Sequence, residues 1–276
     1  MSLAGPYVSV DELAARVPDG ALMGLSKDDS GTAMALTRAI IRRGVKDLHV
    51  VCVPVGGLQA DILIGAGCVA TIECSGVSFG ELGLAPRFRD AVQSGAVRIK
   101  DATCPAIYAA VQAGEKAIPY SPIRGIIGSD VLRHRDDWKV VQNPFSETPD
   151  PIVLVKAINP DVTMFHARWG DRFGNVWIGK RRELATLAHA SKEALVTVEE
   201  IVDFNLMSDE KLVGSTISSL YITGLAHVPQ GAMPLNLDGV YDTDRRHIRD
   251  YVREAATAEG FAAYLDRTVF GRRAAA

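Results

Sequence analysis

The sequence predicts an α/β protein. We expect one domain, residues 1–276, with an open, mainly parallel, doubly wound sheet, helices on both faces and a helical C-terminal tail. Segments with helical spacing of apolar residues alternate with short β-rich segments, the order expected of βαβ units. Residues 47–53 are apolar almost throughout, as in a parallel strand covered on both faces. The 276 residues, 47% of them hydrophobic, are ample for a sizeable core.

Local signals mark most elements of the first half. Ser9 is a helix N-cap ahead of an acidic first turn, and Pro86 lies near the first turn of another helix. Arg42-Arg43-Gly44 ends a helix with cationic side chains and a C′ glycine. Strands are predicted at 21–25, 47–53, 68–73 and 96–99, and helices at 9–16, 32–43, 58–65, 86–94 and 105–113.

The pattern changes at residues 143–151. Three prolines within nine residues predict a long loop there, or a seam within the domain. Further along, Gly174-Asn175 predicts a turn with positive φ. The remaining elements are expected to be strands at 152–157, 161–167 and 194–198, a helix at 182–191 and a helical tail at 247–263.

Composition and charge exclude several classes of function. The net charge is −3, the pI is about 6.1 and no Lys/Arg block stands out, so we expect no nucleic-acid partner. No apolar run approaches the roughly 18–20 residues that span a bilayer, and no secretory signal pattern is present. We therefore expect a cytoplasmic protein whose four cysteines are reduced thiols. The six histidines do not cluster, so no metal site is predicted.

Two loops with glycines follow the first two predicted strands. The first spans residues 24–31, at a position where open α/β sheets bind ligands and main-chain N–H groups hold an anion or oxyanion. Its spacing fits neither GxGxxG nor the Walker pattern. The alternative is a polar surface loop with a helix cap at Ser30 or Thr32. Adjacent glycines in the second loop let the backbone approach a ligand, or simply turn. The candidate binding residues are Gly24, Leu25, Ser26, Gly56 and Gly57.

Longer segments resemble a known family. Residues 73–86 read Glu-Cys-Ser-Gly-Val-Ser-Phe-Gly-Glu-Leu-Gly-Leu-Ala-Pro, and residues 118–130 read Ile-Pro-Tyr-Ser-Pro-Ile-Arg-Gly-Ile-Ile-Gly-Ser-Asp. Over about residues 18–271 the chain resembles the α subunit of the family I coenzyme A transferases, particularly the glutaconate CoA-transferase branch. It departs from that pattern at Gly76, Ser78 and Gly80, where Tyr, Gly and Glu are common. The motifs indicate the superfamily more than one reaction.

The resemblance implies half of an enzyme. In such enzymes an acyl-CoA is attacked by a glutamate of the β subunit, the partner chain, giving an enzyme-bound anhydride and then a glutamyl-CoA thioester, from which a second carboxylate takes the CoA. Coenzyme A is then a substrate, and no permanently bound cofactor is expected. This chain would supply the acyl pocket and N–H donors for the oxyanion. It contains no Ser-Glu-Asn-Gly nucleophile motif, as expected for an α subunit.

The same resemblance implies roles for single residues. The Gly56-Gly57 loop lines the CoA side of the family's cleft. Ser78 and Glu81 are candidates for hydrogen bonds to the acyl group, and Phe79 belongs to the same candidate binding set. Glu81 becomes a candidate general base if burial raises its pKa. A helix-capping or ion-paired carboxylate is the alternative for Glu81.

Cys104 and Arg124 are the remaining candidates. Cys104 begins a predicted helix, and a helix N-terminus favours the thiolate. Relatives often have Glu or Ser at this position, and ring-opening relatives use a glutamate near it, so Cys104 argues against such chemistry or else implies a changed mechanism for it. Arg124 is a candidate ligand for a substrate carboxylate or the CoA phosphates. The alternatives are an inert Cys104 and an Arg124 that ties its loop to the domain or to the partner.

Two other functions stay open at this stage. The first is a hydrolase or ring-opening enzyme on the same heteromeric scaffold, which the departures at Gly24-Leu25 and Cys104 favour. The second is a non-catalytic binding subunit, motivated by the charged stretch Lys27-Asp28-Asp29 in the presumed oxyanion loop.

Overall fold

A mainly parallel sheet dominates the computed structural model, which describes residues 6–272. The strands are β1 (Leu22–Ser26), β2 (Leu48–Val53), β3 (Val69–Cys74), β4 (Arg98–Asp101), β5 (Tyr120–Ile123), β6 (Trp138–Gln142), β7 (Pro151–Lys156), β8 (Val162–Asp171), β9 (Val176–Trp177), β10 (Glu193–Val202), β11 (Thr216–Ile217) and β12 (Gly224–His227). The helices are α1 (Val10–Ala15), α2 (Met34–Arg43), α3 (Leu58–Gly65), α4 (Pro86–Ser94), α5 (Cys104–Glu115), α6 (Asp130–Arg133), α7 (Arg182–Ala190), α8 (Arg245–Glu254) and α9 (Ala258–Thr268).

The large sheet confirms the predicted α/β class. Its strand order is β11-β9-β8-β1-β2-β3-β4, and β10 and β12 continue from β8. All pairs are parallel except those of the short strands β9 and β11. Helices between the strands cover both faces, and the central strands β1 and β2 are correspondingly apolar and buried. The carboxyl ends of β1, β2, β3, β8 and β10 therefore meet at one edge of the sheet.

A small antiparallel sheet was not predicted. It has the order β5-β7-β6. Pro122 lies inside β5, which a proline permits because β5 is an edge strand that pairs only with β7. Residues 143–151, where a loop or seam was predicted, join β6 to β7.

A buried network of ion pairs links the two sheets. Arg135, just before β6, donates to Glu73 at the end of β3 at 2.6 Å and to Asp137 at 2.9 Å, and Lys100 of β4 donates to Asp137 at 2.7 Å. The side chains of Glu73 and Arg135 are 4% and 2% exposed. Desolvation opposes ionisation of Glu73, but His49, with Nε2 3.4 Å from the carboxylate, and the cationic neighbours outweigh burial and lower its pKa. Every charge of the network is thus paired, as burial requires.

The C-terminal tail packs on α3 and α4 and consists of two helices. The predicted helical tail at 247–263 is confirmed and is divided in two: α8 ends at Glu254, and Thr257 caps a new helix by accepting the N–H of Gly260. Tyr251 of α8 donates to the buried Asp61 of α3 at 2.6 Å. Burial raises the pKa of Asp61 to about 6, although this bond and backbone N–H donors lower it. Asp61 also accepts the N–H of Phe88, so one carboxyl group joins three helices.

Most predicted bounds are confirmed to within a few residues. Helices α3 and α4 have the predicted limits, and Ser9 forms a capping box with Glu12. The turn at Gly174 has the predicted positive φ, 89°. All four cysteines are free thiols. Within residues 6–272, no helix combines the length and the apolar character needed to cross a bilayer.

Candidate functional site

A cavity of about 390 Å³ lies where β1, β2 and β3 end. The loops that follow these three strands form its walls, and α8 and the segment before it close one side. We call it the acidic cavity, because Asp28 and Asp29 lie in its wall and Lys27, its one lysine, is 3.8 Å from Asp29. Four of the predicted binding residues come together in its lining: Gly56, Gly57, Ser78 and Phe79.

The first predicted loop begins later in the chain than expected. Strand β1 continues through Ser26, so the loop is 27–33, and Gly24, Leu25 and Ser26 are buried in the sheet. Gly24 and Leu25 pair with both β2 and β8, and none of the three lines the cavity. Gly24 serves packing instead, because a Cβ there would lie 2.8 Å from Leu187 of α7.

The helix cap expected at Ser30 or Thr32 is wrong as well. Helix α2 has Ala33 as its N-cap, without a side-chain hydrogen bond. The Ser30 hydroxyl accepts the backbone N–H of Asp238 at 2.9 Å, across the molecule. The hydroxyl of Thr32 is buried and has no hydrogen-bond partner in the described part of the chain. The loop is therefore fixed by distant contacts and not by the helix that follows it.

Asp28 occupies the place expected for an anion. Its carboxylate accepts the N–H of Gln59, in the first turn of α3, at 3.0 Å. A Cβ on Gly57 would lie 2.7 Å from the same carboxylate, which explains the glycine. Burial raises the pKa of Asp28 to about 6, against the lowering effect of N–H donors from Gln59 and Leu58. The charged stretch 27–29 therefore supplies a helix cap to α3, 31 residues away.

The neighbouring main-chain donors of the acidic cavity are also engaged. The N–H of Gly56 is bonded to the carbonyl of Gly76 at 3.0 Å, and the N–H of Ser78 to the carbonyl of Gly56 at 3.1 Å. These bonds tie the loop after β2 to the loop after β3. These two N–H groups are therefore not free to bind an oxyanion in the cavity.

Glu81 and Cys104 lie outside the walls of the acidic cavity. Glu81 is exposed in a 3₁₀ turn, Gly80–Leu82, and its side chain forms no hydrogen bond or ion pair with residues 6–272. The burial that a general base at Glu81 would need is thus not provided by this chain. Cys104 is the half-buried first residue of α5, with its Sγ 3.1 Å from the hydroxyl of Ser75. Because that hydroxyl donates to the Pro54 carbonyl at 3.0 Å, the thiol is the donor to Ser75.

Arg124 lies at the end of β5, on the small sheet. Its guanidinium forms two bonds with the carboxylate of Asp150, at 2.6 and 3.2 Å, and Asp150 also accepts from Asn143 at 2.7 Å. The pair ties β5 to the loop between β6 and β7. Arg124 also lines a separate cavity of about 620 Å³ on that sheet, beside the almost fully exposed Phe145.

A further cavity, of about 440 Å³, lies at the other half of the large sheet's edge. Its walls come from the loop at Ser30-Gly31, the middle of β8, the segment from β9 to the start of α7, the loop at residues 211–215 and the 237–239 turn. We call it the basic cavity, because four cations and one acid line it: Arg168, Lys180, Arg181, Lys211 and Asp238. Sequence reasoning missed this site, since its residues come from five separate segments. The only local signal was the run Lys180-Arg181-Arg182.

A hydrogen-bonded network fixes the wall of the basic cavity. His166 is buried, with Nε2 3.1 Å from the Glu199 carboxylate and Nδ1 2.8 Å from the Thr197 hydroxyl. Burial lowers the pKa of His166 despite the adjacent carboxylate, so the ring is neutral at pH 7. Glu199 also accepts from Tyr241 at 3.0 Å and from the N–H of Gln230 at 2.9 Å. Both ring nitrogens are engaged, so His166 has a structural role.

Comparison with known proteins establishes the class. The family model of the coenzyme A transferases matches residues 7–216. The A subunit of the 3-oxoadipate CoA-transferase of Pseudomonas knackmussii is 32% identical over 264 residues, which cover 93% of this chain and 90% of the relative. The A subunit of the glutaconate CoA-transferase of Acidaminococcus fermentans is 28% identical, covering 84% of this chain and 77% of the relative. The chain belongs to the coenzyme A transferase family and is similar to its A subunits.

Other relatives widen the range of chemistry. The cholesterol ring-cleaving hydrolase IpdA subunit of Rhodococcus jostii is 26% identical, covering 94% of this chain and 90% of the relative. The crystal structure of glutaconate coenzyme A-transferase from Acidaminococcus fermentans superposes with a TM-score of 0.87 at 24% identity, covering 98% of this chain and 90% of that one. The last comparison confirms the fold, including the C-terminal helices.

Proposed function

We propose that this chain is the A subunit of a heteromeric CoA-transferase that moves CoA between an acyl-CoA and a carboxylate. The acidic cavity supports the proposal most strongly. It is an open pocket with glycine-rich walls at the strand ends, where α/β sheets bind substrates. Among its described lining residues there is no pair of a nucleophile and a base within hydrogen-bonding distance. A B subunit would then supply the nucleophile, as the resemblance of this chain to the family's α subunits implies.

The reaction would proceed in balanced steps. The thioester carbonyl is attacked by a glutamate of the B subunit, and CoA leaves as the thiolate, which gives an acyl-glutamyl anhydride. The thiolate then attacks the glutamyl carbonyl and releases the first carboxylate, which leaves a glutamyl-CoA thioester. The acceptor carboxylate reverses the two steps and becomes the new acyl-CoA. No oxidant, reductant or metal is consumed.

The proposed contribution of this chain is to bind and enclose the acyl group. Ser78 and Phe79 offer a hydroxyl and an aromatic face, and Gly56 and Gly57 leave room for close approach of the substrate. Enclosure matters, because water would hydrolyse the anhydride or the thioester. Arg124 is proposed to act at the subunit interface or on a substrate anion, with Asp150 holding its guanidinium in place.

The test is to assemble the chain with a B subunit of the family and weigh the complex by native mass spectrometry with and without acyl-CoA. A heteromer that gains CoA mass covalently, and loses activity when borohydride reduces the thioester, is the expected result. Ser78→Ala should raise KM for the acyl-CoA by roughly threefold to tenfold, as for loss of one hydrogen bond. Ser94→Ala, on the exposed end of α4, is the matched control. A chain that assembles with no B subunit, or a complex without an adduct, would overturn the proposal.

One observation favours a second function, acyl-CoA hydrolysis or ring opening. Cys104 and Ser75 place a thiol and a hydroxyl 3.1 Å apart at the start of α5, and the IpdA subunit is a relative over most of this chain. A hydrolase would release free CoA in the absence of any carboxylate acceptor, would resist borohydride and would lose activity in Cys104→Ala. A transferase would need the acceptor and would tolerate that substitution.

A further inference from the structure

The basic cavity has an excess of positive charge that the chain does not neutralise. Of its four cations, Lys180 pairs with Asp238 at 2.8 Å and Arg181 pairs with Glu183. Arg168 and Lys211 form no ion pair with residues 6–272. The chain as a whole has a net charge of −3, so the excess is local. Unpaired cations around a concave surface attract anions.

Arg168 is positioned for a ligand and not merely exposed. Its guanidinium lies over the ring of Trp169, 4.6 Å from the centroid, and a Cβ on Gly239 would lie 3.1 Å from its Nη1. The indole of Trp169 is in turn held by Glu200 at 3.1 Å. A guanidinium held between an aromatic ring and a glycine keeps its N–H edge available for a bidentate bond.

A second donor in the cavity wall also lacks a partner. The indole N–H of Trp177 is buried and makes no hydrogen bond among the described residues. Buried polar groups are nearly always bonded, so this N–H is a polar group of a wall residue that the described part of the chain leaves unsatisfied.

The walls of the cavity are preorganised. The Glu199 network holds His166, and the N–H of His166 donates to the Gly31 carbonyl at 2.6 Å. From the opposite side, Arg181 donates to the carbonyls of Ser30 and Lys27. The ligand would therefore meet donors that are already in place and would lose little affinity to ordering them.

We propose that the basic cavity binds an oxyanion, a phosphate or carboxylate group, on a molecule that also has apolar surface. Arg168 and Lys211 would bind the oxyanion. The side chains of Ile178, Leu184 and Leu237 give the apolar part of the lining. The assignment concerns binding alone and goes beyond the proposed transfer reaction. It holds whether the assembled enzyme is a transferase or a hydrolase.

Calorimetric titration of the full chain tests the proposal with two probes. Adenosine 3′,5′-bisphosphate supplies phosphates on a nucleotide, and adipate supplies two carboxylates on an apolar chain. We expect at least one to bind at one site, more weakly as ionic strength rises. Binding of the bisphosphate would assign the site to the nucleotide end of a CoA substrate, and binding of adipate to an acyl acceptor. Binding of neither would overturn the proposal.

Three variants locate the site. Arg168→Gln should weaken binding about tenfold or more, because a charge-assisted bidentate contact is lost. Lys211→Gln, on an exposed side chain, should weaken it about threefold and remains informative if Arg168→Gln does not fold. Arg172→Gln is the matched control, since Arg172 is exposed, stacks on Phe173 and does not line the cavity. Equal affinity in all three variants, or a loss confined to Arg172→Gln, would contradict the assignment.

Discussion

The acidic and basic cavities lie at one edge of one sheet but differ in charge and in origin. The acidic cavity lies at the ends of β1, β2 and β3, and its charged wall is dominated by Asp28 and Asp29. The basic cavity lies between the middle of β8 and the start of α7, and Arg168 and Lys211 in its wall are unpaired within residues 6–272. The comparison shows that the edge offers two chemically different sites. Under the two proposals, the acyl group would bind in the acidic cavity and an oxyanion in the basic cavity.

The loop at residues 27–33 separates the two cavities and takes part in both. Near its start, Asp28 caps α3 in the acidic cavity, and near its middle, Ser30 and Gly31 line the basic cavity. Arg181 bonds the carbonyls of Lys27 and Ser30. Because both sites depend on this loop, substitutions in the loop and in the residues that hold the cavity walls should lower stability in a graded order.

The largest expected effect is that of Gly31→Ala. Gly31 has a φ of 74°, and a Cβ there would collide with the His166 carbonyl oxygen. We expect a loss of about 3 kcal/mol in the free energy of unfolding, from the backbone conformation and the collision together. Gly20→Ala is the matched control, because Gly20 has the same φ of 74° and open space around it. It should lose only about 1 kcal/mol. Equal losses in urea denaturation would contradict the close packing of the loop on β8.

Arg181→Met should have the next largest effect. The substitution leaves Glu183 and two carbonyls of the loop without their buried partner. A loss of about 2–3 kcal/mol is expected. Arg182→Met, at the exposed neighbouring position, should change stability by less than about 0.5 kcal/mol. Thermal unfolding of the two variants measures the difference, and similar melting temperatures would show that Arg181 does not hold the loop.

Asp28→Asn tests the acidic side through pH. The pKa of Asp28 is raised from 3.8 to about 6, so the folded state binds its proton more tightly than the unfolded state. The resulting stabilisation is fully present below about pH 3.8 and is lost as pH rises through about 6. The stability of the native protein relative to Asp28→Asn should therefore fall by about 2 kcal/mol between pH 4 and 7. Asp29→Asn is the control, because it removes a charge from the same loop without touching the cap of α3. A constant difference between native and Asp28→Asn would refute the raised pKa.

Tyr241→Phe should have the smallest effect of the series. It removes one hydrogen bond to Glu199 and leaves the carboxylate with its bonds to His166 and the N–H of Gln230. A loss of about 1 kcal/mol is expected. Binding of oxyanions to the basic cavity should weaken less than in Arg168→Gln, because the wall keeps its other contacts. A loss of binding as large as that of Arg168→Gln would show that the Glu199 network does more for binding than hold the wall of the cavity in place.

The acidic cavity was largely predictable from the sequence, and the basic cavity was not. Gly56, Gly57, Ser78 and Phe79 lie in short segments that follow strands, and parallel strands bring such segments to one edge. The residues of the basic cavity are scattered from Ser30 to Gly239, and its cations look like ordinary surface side chains in sequence.

Other errors have physical reasons of the same kind. The contact of Asp28 with Gln59 spans 31 residues, so no local sequence signal predicts it. Strand β1 extends to Ser26 because β2 pairs with it there, which the local sequence does not reveal. The small sheet was missed because Pro122 lowers the strand signal of β5.

The most direct test of the two-cavity account compares Arg168→Gln with Asp28→Asn for binding of adenosine 3′,5′-bisphosphate and adipate. The account predicts that Arg168→Gln weakens the binding of the probe that occupies the basic cavity about tenfold. It also predicts that Asp28→Asn leaves that binding within about twofold, because Asp28 lines only the other half of the edge. The reverse pattern, with Asp28→Asn strengthening binding and Arg168→Gln unchanged, would place the oxyanion in the acidic cavity and contradict the account.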